Sequence, residues 1–207
     1  MNTQSQVHKF GATVLENLPD VPEDIMQGWI ENPLGLQRFL LGLCPPAELK
    51  VWKTIKLGMP GLRSAADLQK SIEDSGMKVN DRAKDILGKP AFTVATKETE
   101  VDLVKVSVAE LGFTENTRYE KICERAKELD LLLCPNEVGP QLRLQYKDQP
   151  KDEWIRVAME SILNSGGNLC VFDVVHVGDG LWLDGCYGYP DSLFVPGNLF
   201  VFVRPRK

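Results

Sequence analysis

"VFDVVHVGDGLWLDGCYGYPD", residues 171–191, decides how this chain is read. Two runs of β-favouring residues flank Gly178-Asp179-Gly180, where either Gly178-Asp179 or Asp179-Gly180 serves as a two-residue hairpin turn. In both frames, residues of the two strands whose numbers sum to an odd value share a face. His176 then falls with Phe172, Val174, Leu181 and Leu183. Cys186 falls on the other face, with Asp173, Val175, Trp182 and Asp184. A nucleophile and its base must come within about 3 Å of each other, so the hairpin is not expected to hold a Cys–His dyad. His176 is read as a histidine at the rim of an apolar face. The only other histidine is His8, which leaves no second imidazole well placed for a metal.

The polar face of the hairpin is the candidate site. Asp173 and Asp184 are cross-strand neighbours, Asp179 sits at the tip, and Trp182 lies among them with Tyr187 and Tyr189 close by. Indoles and phenols beside carboxylates suit a ligand or partner surface, for which Asp173, Trp182, Asp184 and Tyr187 are the predicted binding residues. The carboxylates Asp173, Asp179 and Asp184 also support an alternative, acid–base work or a divalent cation in a small hydrolase. The structural alternative is a solvated face, or one covered by a helix from the first half. No catalytic residue is assigned.

The rest of the composition narrows the function classes. The formal charge of −5 is spread evenly, with nets of −2, −1 and −2 over residues 1–103, 104–150 and 151–207. No segment builds the basic footprint of a phosphate-binding protein. The five cysteines, an odd number with no CxxC pair, indicate reduced thiols rather than a disulfide framework or a zinc ribbon. No signal-peptide pattern and no apolar run near the ~20 residues of a membrane span is present. A soluble, cytoplasmic protein is the expectation, without a membrane association and with a protein as its possible partner. Walker A, GxSxG, HExxH and EF-hand patterns are absent, and "GDG" does not open a helix, so no cofactor or metal is implied.

Residues 1 to about 20 read as a loosely held leader. Helices are predicted at "VPEDIMQGWI" and "NPLGLQRFLLGL", where Trp29 and Phe39 either pack internally or form a dimer seam. Helices are also predicted at "SAADLQKSIEDSG" capped by Ser64, at "NDRAKDILG" capped by Asn80, and at "ENTRYEKICERAKEL" with one apolar stripe. "SVAELGF" reads as a single turn capped by Ser107, and "NEVGPQLRLQY" as a turn interrupted at Gly139-Pro140. Strands are predicted at "ELKVWKTIKL", "FTVAT", "EVDLVKV", "WIRVAME", "LCVFDVVHV", "GLWLDGCY" and "LFVFVR", with "LLLCP" a short one. The order gives an α+β chain, with a helix-rich region 1–98 carrying a short strand pair and an α+β domain 99–207 ending in an antiparallel meander. Helix, turn and helix over residues 107–146 faintly match a winged helix-turn-helix, a nucleic-acid reading that the local charge opposes.

The strings "VWKTIKLG", "DILGKPAFTVA", "VDLVKVSVAELGF" and "LCPNEVGPQLRLQYKDQPKDEW" resemble a set of uncharacterised bacterial proteins of similar size over residues 50–207. The resemblance carries no chemistry. It implies a bacterial protein whose N-terminal helices are a partner-specific addition.

Overall fold

The computed structural model describes residues 4–16, 22–33, 35, 49–178 and 180–206. The chain divides into two compact units, Met1–Pro45 and Pro46–Lys207. In the first, α1 (Gln4–Glu16) stands where a loose leader is expected. The second helix, α2 (Glu23–Glu31), begins after Pro22 with Glu23 and Asp24 at its positive end, as the sequence predicts. Its side chains Ile25, Met26 and Ile30 are exposed. The helix predicted over residues 32–43 lies largely outside the described residues, as do Phe39 and Cys44.

The second unit is α+β and takes in both sides of residue 98. Its first elements are β1 (Lys53–Leu57), α3 (Ala65–Asp74), β2 (Lys78–Val79) and α4 (Asp81–Leu87). Both helices start on the predicted caps: Ser64 Oγ accepts from Asp67 N, and Asn80 Oδ1 from Ala83 N. Next come β3 (Thr99–Ser107), β4 (Thr117–Arg118), α5 (Tyr119–Glu128) and α6 (Val138–Gln145). The remaining strands are β5 (Trp154–Val157), β6 (Ile162–Leu163), β7 (Leu169–Val177), β8 (Gly180–Tyr187), β9 (Leu193–Phe194) and β10 (Leu199–Arg204). The main sheet runs β1-β3-β10-β5-β7-β8-β2, with β6 paired to β7, and β4 and β9 form a separate ribbon.

The sheet is mixed rather than a pure antiparallel meander. The last strand, β10, enters between β3 and β5 and runs parallel to β5, and β2 runs parallel to β8. "FTVAT" is not a strand, because its backbone bonds to side chains instead. Thr93 N donates to Asn136 Oδ1, and Ala95 N to Glu137 Oε2. "LLLCP" supplies two single bridges, Leu132 to Val203 and Cys134 to Met159. "SVAELGF" is one turn, in which Ser107 Oγ accepts from Glu110 N.

Strand alternation divides the core into two layers. One sheet face presents Ile55, Leu57, Leu103, Ile155, Phe172, Val174, Leu183 and Val201, all buried, to α3, α4 and α6. The other presents Val104, Val106, Phe200 and Phe202 to α5, whose Tyr119 ring stacks on Phe200 with centroids 6.0 Å apart. Helix α6 runs through Gly139 and Pro140, since both lie in its first turn, where a missing N–H costs nothing.

Gly139 is fixed by contact. A Cβ there would sit 2.6 Å from the Phe172 ring, closer than any real packing contact, and the fully buried ring has no room to retreat. Gly139→Ala should cost about 1–3 kcal/mol as an overpacking substitution. The loss in Tm should be smaller when alanine is introduced beside Phe172→Leu. Equal losses in the two backgrounds would show that the close approach is not what fixes this glycine.

Candidate functional site

The hairpin adopts the Gly178-Asp179 frame: Val177 pairs with Gly180, and the ladder continues without a bulge to Cys170 and Tyr187. Gly178 takes φ +51°, in the left-handed region that such a turn uses. Asp179 itself lies outside the described residues. Faces divide as the sequence predicts, with His176 opposite Leu181, and Cys186 on the other side, opposite Val171. His176 Nδ1 lies 2.7 Å from the Gln149 carbonyl oxygen. A carbonyl only accepts, so Nδ1 carries the proton and the imidazole is held as a structural donor.

Across β5, β7, β8 and the end of β2 the register lines up two rows on the Cys186 face. In the first, Trp154 pairs with Val175, Val175 with Trp182 and Trp182 with Lys78. In the second, Arg156 pairs with Asp173, and Asp173 with Asp184. The side-chain amide of Asn80 extends this second row. Its Nδ2 donates to Asp184 Oδ1, while its Oδ1 caps α4.

Asp173 is buried, against the expectation of a solvated or ligand-facing carboxylate. Arg156 Nε stands 3.9 Å from its Oδ2, an ion pair beyond hydrogen-bonding range, and Cys186 Sγ donates to its Oδ1 at 3.1 Å. Burial pushes the carboxyl up to about 6, opposed by Arg156 and by the Cys186 hydrogen bond. The Cys186 thiol is pushed well above its ordinary range, by burial first and by the Asp173 charge second. A thiol beside an anion is the opposite of an activated nucleophile. Asp184 is half-buried and already accepts from Asn80 and, at 2.6 Å, from Gly185 N.

The aromatic residues separate. Trp182 is half-buried, with the Lys78 ammonium 4.8 Å from its ring centroid, and its Nε1 is buried without a hydrogen-bond partner among the described residues. Tyr187 alternates to the other face, opposite Cys170, where the Arg82 guanidinium covers it at 4.6 Å. It does not join Asp173, Trp182 and Asp184. Trp154, not singled out from the sequence, takes its place: it is 42% exposed beside Arg156. The alternation of "WIRV" was the available signal, since it sets Trp154 and Arg156 on one face. Arg156 stacks on the Phe194 ring at 4.9 Å, and its buried Nε has no hydrogen-bond partner among the described residues. Trp154 and Arg156 line a groove of about 520 Å³ with Lys151, Asp152, Asn198 and Leu199.

Among the described residues no group of three or more His, Cys, Asp or Glu could hold a metal ion. The described cysteines are free, and no described helix is long and apolar enough to cross a membrane. Helix α6, the second helix of the winged-helix reading, has Val138 to Arg143 buried, so it offers no such face to a groove of DNA. No family model, curated protein or solved structure matches the chain.

The burial of Asp173 gives a pH test with a definite sign. Its folded value of about 6 lies above the unfolded 3.8, so the folded state binds more protons between these values. Stability from this group is present in full below pH 3.8 and is lost as pH rises through 6, about 3 kcal/mol in all. Asp85 works the other way, its carboxyl held down at about 2 first by the Lys89 hydrogen bond and then by those from Ser165, so the comparison must be with Asp173→Asn. Wild type should gain about 1 kcal/mol on the variant between pH 8 and pH 5 by denaturant unfolding. A constant difference would mean that the carboxyl titrates normally.

Proposed function

We propose that this protein acts by binding, through the tryptophan-flanked end of the sheet formed by Trp154, Arg156, Trp182 and Asp184, with Asp173 as the buried counter-charge beneath. The observation that carries the proposal is the exposed indole of Trp154 beside a guanidinium whose Nε has no hydrogen-bond partner among the described residues, on a strand at the mouth of a groove. Aromatic and arginine side chains in this arrangement are the residues that dominate interface energetics. Lys151, Arg156 and Asn198 place donors around the groove against the carboxylate of Asp152, since that of Glu153, the other acid of the lining, is taken up by Lys105 Nζ and Tyr146 Oη, which suits an acidic, partly apolar surface on a protein partner. Arg156 and Asp173 form the pivot: the buried carboxylate holds the guanidinium against Phe194, and the guanidinium presents its far edge to the groove.

The chemistry of the neighbourhood supports binding over hydrolysis. The thiol is held neutral, the imidazole is on the opposite face, and the Asp184 carboxylate is already occupied by two N–H donors. A bacterial, cytoplasmic protein of this kind is the corresponding cellular reading.

A photo-crosslinking residue at position 154 in the full chain, expressed in its own cells, should capture one discrete adduct. The same residue at the exposed loop position Glu115 should capture none. Trp182→Ala, provided that it keeps a cooperative melt, should reduce the adduct at least fivefold. Equal labelling at 154 and 115, or a turnover activity abolished by Asp184→Asn, would overturn the proposal.

A further inference from the structure

A second cavity lies apart from the tryptophan face and shares no lining residue with the groove beside Trp154. It encloses about 430 Å³ between α5, residues 131–133 and 159–161, and Gly188 and Pro190, within the ~300–1,000 Å³ of small-molecule sites. Its floor is apolar, built from Leu131, Met159, Leu169 and Phe202, and Leu132 at its edge is 49% exposed.

The polar atoms of this cavity fall into two groups. Those on the floor are spent. Tyr119 Oη donates to the Met159 carbonyl at 2.8 Å and accepts from Met159 N at 3.0 Å, and Ser161 Oγ donates to the Gly188 carbonyl at 2.5 Å. Burial pushes the Cys123 thiol up to about 11, so it stays neutral. The rim carries Glu120, Glu124 and Glu160 against one cation, Lys127. Glu124 pairs with Lys121 at 2.7 Å and Glu120 with Arg118 at 3.7 Å. Both are surface ion pairs of the kind that exchange at little cost. Glu160 is exposed and has no hydrogen-bonded or ion-pair partner among the described residues.

An apolar floor whose hydroxyls are already engaged, under a rim of acceptors, discriminates by charge. An anionic amphiphile would meet three carboxylates. A cationic one would bury its tail and place its ammonium among them, with Glu160 as the first partner. We propose that this cavity binds a small amphiphilic ammonium, an amine with an apolar tail, and that Glu160 and Glu124 select its charge.

The full chain titrated with n-octylammonium, and separately with n-octanoate, tests this by ¹H–¹⁵N correlation spectra. Octylammonium should move the amide resonances of Cys123, Leu133 and Ser161 saturably, with an affinity at least tenfold above that of octanoate. The double variant Glu124→Gln/Glu160→Gln, altered only at exposed positions, should weaken octylammonium at least fivefold while leaving the rest of the spectrum in place. Octylammonium shifts that do not saturate, equal affinity for octanoate, or an unchanged affinity in the double variant would each overturn the proposal. The tryptophan face is unaffected by any of these outcomes.

Discussion

The molecule is organised by the register of one hairpin. Val177 paired with Gly180 fixes every pair from there to Cys170 and Tyr187, and a shift of a single residue would exchange the two faces of β8. Both faces are committed, one to the layer of α3, α4 and α6, the other to α5 at one end and the two tryptophans at the other. Such a shift would drive Asp184 and Trp182 into the apolar layer now filled by Leu183. It would also turn Leu183 towards Asp173. The cost of burying an unpaired carboxylate is several kcal/mol, so the turn has one acceptable frame.

Helix α6 ties this sheet to its first strand through charged and amide side chains rather than through apolar contact alone. The buried Glu137 carboxylate accepts from Gly58 N and Ala95 N, each at 2.7 Å, and from Gln141 Nε2 at 2.9 Å. Gln145, two turns further on, both donates to and accepts from the Lys56 backbone, which closes the outer edge of β1 to foreign strands. Gly58 is obligatory at this contact: its φ is +61°, and a Cβ would fall 2.3 Å from the Lys97 carbonyl. Arg143, fully buried, donates from its two terminal nitrogens to Gln149 Oε1 and to the carbonyls of Val175 and Tyr146 rather than to a carboxylate, and its Nε has no hydrogen-bond partner among the described residues. Unmatched burial holds this guanidinium down, at about 10.

What was legible in the sequence was local. Ser64 and Asn80 announce their helices because a cap is satisfied by the next three residues. The faces of β7 and β8 follow from period-two alternation and an even turn. What was hidden was non-local. The insertion of β10 beside β3, and its parallel pairing with β5, leave no mark in "LFVFVR", which reads the same at any place in a sheet. "FTVAT" has strand composition, but Glu137 and Asn136, more than 40 residues later, take its N–H groups. The candidate site was legible by half: alternation placed Asp173, Trp182 and Asp184 together and should have removed Tyr187. The burial of Asp173 depends on Arg156 and Phe194, which arrive from other strands, and so did not show in the hairpin itself.

The register is open to direct measurement. Gly188 N donates to the Leu169 carbonyl, which makes 169/188 a hydrogen-bonded pair and places Val174/Leu183 and His176/Leu181 at the close, non-hydrogen-bonded positions of the ladder. A nuclear Overhauser spectrum should show strong Hα–Hα cross-peaks between Val174 and Leu183 and between His176 and Leu181. Cross-peaks joining Val174 to Trp182 or to Asp184 instead would mean a slipped hairpin, with the imidazole and the last thiol on one face, and would contradict the account.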